Sequence, residues 1–247
     1  MFTSAQREST RDRILDHGRA DRRISGGAVT GSATGGVQDA WSDVDLAFGV
    51  RDRAAIPDVL ADWTPMMYRE HGALHHVDVV VGAWTYRVFL LANQLQVDLA
   101  FAPAEEFGAR APTFRLMFGS SVELQRPRRP SPEEIFGMGW LYALHVRSSI
   151  ERGRLWQAEY FLGCLRGEVL KLACVRYGLP TSEGRGVDRL PPEVTQPMEK
   201  ALVGLLEPSQ LRRAFAVAIE GLVAEAGLLD RALSDRLEPL LRQLAHG

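Results

Sequence analysis

Asp43-Val44-Asp45-Leu46-Ala47-Phe48 is the segment that most narrows what this chain can fold into. Apolar and acidic residues alternate in it with the period of a strand. Side chains two apart on a strand share a face, so Val44 and Leu46 turn toward a core while Asp43 and Asp45 converge on the other side. Two neighbouring carboxylates repel each other unless a cation lies between them. Mg²⁺ is the natural one, since it takes hard oxygen ligands and is commonly held by one or two carboxylates plus substrate phosphates. Ten residues upstream stands a small turn, Gly31-Ser32, at the end of the apolar run Ile24 to Val29. Such a turn offers backbone N–H groups and a hydroxyl to phosphate oxygens, and a glycine lets the backbone approach closely. A phosphate cradle beside metal-binding carboxylates points to nucleotidyl transfer.

A third carboxylate, Asp98, lies in Leu95-Gln96-Val97-Asp98-Leu99-Ala100-Phe101. Tyr86 to Leu91 reads as a strand before it and Ala92-Asn93-Gln94 as a short turn, so Asp98 is expected in a hairpin. Glycine-serine, a spacer, Asp-x-Asp on a strand and a later strand aspartate together resemble the DNA polymerase beta-like nucleotidyltransferase superfamily. The resemblance covers roughly residues 24 to 101. It implies that Gly31, Ser32, Asp43 and Asp45 bind the nucleotide, and that Asp43, Asp45 and Asp98 hold two Mg²⁺ ions. Asp98 is then either a metal ligand that activates the acceptor hydroxyl or the general base itself, and the residues leave that choice open. The plain alternative makes Asp43 and Asp45 strand-end capping residues and Asp98 a satisfied polar residue of a sheet.

The pattern divides the chain. An opening helix is expected over Ser4 to about Arg19, strands at 24–29, 43–50, 75–81, 85–91 and 95–101, and a helix from Ala54 to about His71 with a break at Pro65. Arg126-Pro127-Arg128-Arg129-Pro130-Ser131-Pro132 cannot continue a helix or a central strand. Ser131 to Glu134 then forms a capping box with proline at the first helical position. Helices are expected from there to Ile150, from Leu155 to Tyr177, over 192–205 and over 208–244. The expected architecture is an α+β nucleotidyltransferase domain (1–125), a linker (126–132) and an all-α bundle (133–247). A nucleotidyltransferase sheet followed by helices resembles the antibiotic-modifying enzymes of the kanamycin and lincosamide type. That resemblance implies ATP as donor, pyrophosphate as by-product and a small-molecule hydroxyl as acceptor, with the helical half helping to hold it. Glu159 is the candidate acceptor-binding carboxylate; an ion pair with Arg166, seven residues on and nearly on the same helix face, is the competing assignment.

Charge excludes other classes. The formal net charge is −2 and basic and acidic residues balance in both halves, so no basic face is available to gather nucleic acid. A protein or RNA acceptor, or a non-catalytic nucleotide-binding module, are the alternatives; the three aspartates weigh against the last. No apolar run is long enough to cross a bilayer, and Met1 to Glu8 has no signal-peptide core. Cys164 and Cys174 are expected ten residues apart on one helix, about 15 Å along its axis, beyond disulfide reach. A reduced, cytoplasmic protein is the expectation, with no oligomeric state assigned. His71, His75 and His76 match no zinc spacing, and no Walker lysine follows a glycine-rich loop.

Overall fold

The computed structural model describes all residues except 32–37, 110–112, 126–127 and 247. The first helix, α1 (Ser4–Ala20), starts at a capping box. Thr3 Oγ1 accepts from the Gln6 N–H, and Gln6 Oε1 accepts from the Thr3 N–H, an arrangement contributing about 1 kcal/mol. The helix stops at Asp21, whose carboxylate accepts from the Arg23 guanidinium and from Trp63 Nε1 at 2.9 Å. One acid thereby joins the end of α1, the start of the sheet and the second helix. Arg23 is the main cause that holds the Asp21 carboxyl far below the usual carboxylate range.

Six strands form one sheet: β1 (Ile24–Thr30), β2 (Val44–Val50), β3 (Ala73–Val81), β4 (Trp84–Leu91), β5 (Gln96–Pro103) and β6 (Phe114–Gly119). Their spatial order is β3-β4-β5-β2-β1-β6. All neighbours are antiparallel except the central pair β2 and β5, which is parallel. Parallel neighbours need a crossover, here supplied by α2 (Ile56–Glu70) and the β3–β4 hairpin. Helix α2 runs unbroken through Pro65, contrary to the expected break. The sixth strand is absent from the sequence reading. It is an edge strand whose residues are mostly exposed, so burial imposes no alternation on it.

The two sheet faces differ. On one, α1 and α2 cover a core that includes Ile14, Leu46, Phe48, Trp63, Leu99 and Phe101. The Trp63 ring meets Phe48 and Phe101 edge-on at 4.9 and 5.2 Å. On the other face the central strands present small residues, Ala28, Ala47 and Ala100, flanked by Trp84 and Phe107. Period-two alternation sets which side chains join the alanines: Asp45 on β2 and Asp98 on β5.

The chain divides into two compact units, Met1–Arg128 and Arg129–Gly247. The second is helical: α3 (Pro132–Glu151), α4 (Leu155–Arg176), α5 (Pro192–Glu199), α6 (Pro208–Leu229) and α7 (Arg231–His246). Ser131 and Glu134 form the capping box of α3. The core of this unit includes Phe136, Ala143, Leu162, Phe215, Ile219 and Leu222. The expected helix over 208–244 is two helices. Asp230 is extended and ends α6, while its Oδ1 accepts from the Leu233 N–H and caps α7. The segment expected as a helix to Leu205 ends at Glu199. Cys164 and Cys174 are free thiols on α4. No helix among the described residues is long and apolar enough to cross a membrane.

Candidate active site

The parallel register of β2 and β5 sets Asp45 directly beside Asp98. Both point away from the face covered by α1 and α2, because their neighbours Leu46 and Leu99 fill the core beneath those helices. Asp43 lies just before β2 rather than within it. It is near enough to Asp98 to act on its charge.

Asp98 is under electrostatic stress. Its Oδ1 is buried and has no hydrogen-bond partner among the described residues. Burial, and after it the negative charge of Asp43, raises its pKa from 3.8 to about 6. Desolvation and a like charge both disfavour ionisation, and a cation or a transferred proton relieves both. Perturbed carboxylates of this kind mark functional sites more often than structural ones.

Gly31 is fixed by the same carboxylates. Its φ is +65°, and a Cβ there would lie 1.8 Å from Asp45 Oδ2. Both the backbone conformation and the Asp45 carboxylate disfavour a side chain there. Ser32, the other half of the turn, lies outside the described residues, as does most of the spacer to Asp39. Where the spacer returns, it is knitted to itself. Asp39 Oδ1 accepts from the Trp41 N–H at 2.9 Å and the Ser42 hydroxyl at 3.0 Å. The Trp41 contact is the first cause that keeps the Asp39 carboxyl below its ordinary range.

One site residue gives no signal in the sequence. Arg7 on α1 is 3% exposed, and its guanidinium donates to the carbonyl oxygens of Asp39 and Ser42. Its Nε is buried without a partner among the described residues. Arg7 and Arg11 line a narrow crevice with Gln38, Asp43 and Asp45. Arg7 thus ties the loop entering β2 to the first helix, at the point where the loop delivers Asp43.

The donor set suits Mg²⁺: carboxylate oxygens only, one of them buried and lacking a partner among the described residues. Among the described residues no three His, Cys, Asp or Glu gather as a finished metal cluster; Asp45 and Asp98 form the close pair, with Asp43 at its margin. Glu105 and Glu106 lie on the turn after β5, and Glu106 pairs with Arg53 at 2.8 Å. Glu159 is half-buried on α4 of the helical unit. No ion pair joins it to Arg166 among the described residues; Arg166 instead donates to the Ala201 carbonyl at 3.0 Å. His76 Nδ1 bonds the Tyr68 hydroxyl at 2.9 Å.

No family model matches the sequence, and no curated protein matches it. Among solved structures, the chain is similar to an aminoglycoside 6-adenyltransferase from Bacillus subtilis, at 13% identity and a TM-score of 0.43, over 97% of this chain and 98% of that one. It is also similar to a nucleotidyltransferase-like protein from Exiguobacterium sibiricum 255-15, at 16% identity and a TM-score of 0.35, over 90% of this chain and 77% of that one.

Proposed function

We propose that this chain is a Mg²⁺-dependent nucleotidyltransferase that moves a nucleoside monophosphate, AMP from ATP, onto a hydroxyl of a small molecule. The supporting observation is the Asp45–Asp98 pair: two carboxylates in register, one with a buried oxygen that has no partner among the described residues, beside a glycine at positive φ. A buried polar atom of a purely structural residue ordinarily has a hydrogen-bond partner, so the bare Asp98 oxygen supports a role toward a cation or a proton.

In the reaction, the acceptor hydroxyl oxygen attacks the α-phosphorus of the triphosphate. The bond from that phosphorus to the bridging α–β oxygen breaks, and pyrophosphate leaves with the electron pair. The hydroxyl proton passes to the Asp98 carboxylate. Burial raises the Asp98 pKa above that of an ordinary carboxylate in the metal-free chain, and as general base Asp98 would take that proton directly. Asp43 and Asp45 would hold the ion associated with the triphosphate; a second ion would take Asp98 as a ligand as well, the alternative to its role as base. Bound Mg²⁺ would supply the positive charge that stabilises attacking and leaving oxygens in such a displacement. Gly31 would bring its backbone N–H to the phosphates. The acceptor class carried by the resemblance is an aminoglycoside or lincosamide antibiotic.

The direct test is calorimetry of MgATP binding, followed by single-turnover pyrophosphate release across a panel of hydroxyl acceptors. A chain that binds no nucleoside triphosphate, ATP, GTP, CTP or UTP, at any Mg²⁺ concentration is not a nucleotidyltransferase.

A further inference from the structure

Strand β3 is one edge of the sheet, and no strand pairs with its outer side among the described residues. Such an edge offers backbone N–H and C=O groups as a template for another strand. Proteins ordinarily guard it with proline, lysine, a bulge or a very short strand. None of these protects the middle of β3. Its nine residues include no proline, lysine or arginine, and its register shift against β4 lies at one end, between Ala73 and His75. Leu74, Val77, Val79, Val80 and Val81 are exposed, Val77 at 56% and Val80 at 67%. Asp78, the one acid, is answered within the chain: the Arg87 guanidinium donates to both its oxygens, at 2.7 and 2.6 Å. The opposite edge, β6, is shorter, at six residues, and carries Arg115.

We propose that the outer edge of β3 pairs with the same edge of a second copy of this chain, antiparallel about a two-fold axis at Val77. The inference rests on the sheet alone and not on the nucleotidyl-transfer reading. A closed homodimer uses one patch on both copies, so that patch must complement itself. With the axis at Val77, the midpoint of the nine residues, Val77 faces its own counterpart, His75 faces Val79, His76 faces Asp78 and Leu74 faces Val80. Opposed polar partners and opposed apolar side chains stabilise paired strands, whereas like charges destabilise them. His76 Nδ1 meets the Tyr68 hydroxyl; with that nitrogen accepting, Nε2 carries the proton and can donate to the opposing Asp78. A carboxylate has acceptor positions beyond the two that Arg87 uses. Moving the axis by one residue sets His76 against His76 or Asp78 against Asp78. Moving it by two, to His75 or Val79, leaves part of the strand beyond its partner's end. Val77 and Asp98 share a sheet face, since Val88 of β4 is the register partner of both. Pairing withdraws the valines from water and keeps β3 and β4 between each Asp98 and the seam, so each copy retains its own site.

Sedimentation velocity of the full chain across a concentration series tests the assembly. A monomer–dimer equilibrium is expected, with no larger species. Val77→Lys sets two ammonium groups face to face on the axis and is expected to weaken dimerisation by about tenfold or more. Because Val77 is exposed, the melting temperature of dilute, monomeric protein should stay near wild type. Disulfide trapping reads the register. Residues on the axis oppose their own counterparts with Cα atoms about 4.5–5.5 Å apart, within disulfide reach. Val77→Cys is therefore expected to form an interchain disulfide under mild oxidation. Val79→Cys, about 13 Å from its counterpart, and wild type are not. A chain that stays monomeric at the highest concentration overturns the proposal. So does a dimer that Val77→Lys leaves intact, which would lie on another surface. Equal trapping of the two cysteine variants overturns the register and the proposal with it. Open-ended oligomers would do the same, by showing that β3 joins β6 of the next copy.

Discussion

Asp45 and Asp98 are direct partners in the only parallel strand pair of the described sheet, and Asp98 Oδ1 is buried there with no hydrogen-bond partner among the described residues. A buried carboxyl whose pKa is raised on folding binds its proton more tightly in the folded than in the unfolded chain. It contributes stability below about pH 3.8, and that contribution is lost as pH rises through about 6. The displacement corresponds to roughly 3 kcal/mol. In metal-free buffer at pH 7.5 or so, Asp98→Asn is therefore expected to be more stable than wild type by up to about 3 kcal/mol, and equal to it near pH 4 or below. Urea denaturation across that range measures it. The same variant should lose about 10²–10⁴-fold in single-turnover pyrophosphate release. Near-normal release would take Asp98 out of the chemistry.

Gly31→Ala separates two costs. The substitution meets a positive φ and the Asp45 carboxylate at once, whereas Gly72, with φ +69°, has nothing within 4 Å of an added Cβ. Gly72→Ala isolates the backbone cost, about 1–2 kcal/mol. Gly31→Ala should lose more stability than this and also weaken MgATP binding, because Asp45 must move. Melting curves and nucleotide titration of both variants check the difference, and equal behaviour would dissociate Gly31 from the carboxylate site.

Arg7→Met should cost about 2–3 kcal/mol, the range for charge-assisted hydrogen bonds from a buried guanidinium. It should also raise the Mg²⁺ concentration needed for half-maximal nucleotide binding, since the loop delivering Asp43 loses its anchor on α1. Arg7→Lys keeps the charge but not the two-pronged reach to Asp39 and Ser42, and should recover only part of the Mg²⁺ response. Unchanged Mg²⁺ titrations in a destabilised Arg7→Met would make the arginine purely structural.

His71 sets an opposite pH response. Burial, then the nearby Arg13 charge, lowers its pKa to about 4. A base with a depressed folded pKa contributes stability above about 6.5, lost as pH falls toward 4. His71→Gln should remove that dependence. Denaturation of the two proteins at pH 7 and 4.5 or so measures it; parallel curves would show the imidazole protonating freely in the folded chain.

Much of the first unit can be read from alternation alone. Strands β1, β2, β4 and β5 bury residues against two helices, and the strand pattern records that burial directly, whereas edge strand β3 is exposed along most of its length. The capping boxes at Thr3 and Ser131 are local and equally legible. Edge strand β6 buries too little to leave a pattern, and the break at Asp230 hides because the residue that ends α6 also caps α7. Among site residues, each aspartate is visible on its own segment. Their pairing is not, since parallel register between distant strands leaves no local mark. Arg7 resembles any surface arginine of α1 until a loop from residues 39–42 folds onto it.

The crossover between β2 and β5 has a consequence for how the protein comes into being. Asp45 reaches its partner only after α2 and the whole β3–β4 hairpin have emerged and folded, because β5 is the strand that closes the sheet. Until then β2, buried along nearly its whole length in the finished protein, offers an open apolar edge on the nascent chain, the kind of template on which strands mispair. A chain cut before Gln96 would thus keep Gly31, Asp43 and Asp45 and still have no site. Truncation there should yield aggregation rather than a weakened enzyme.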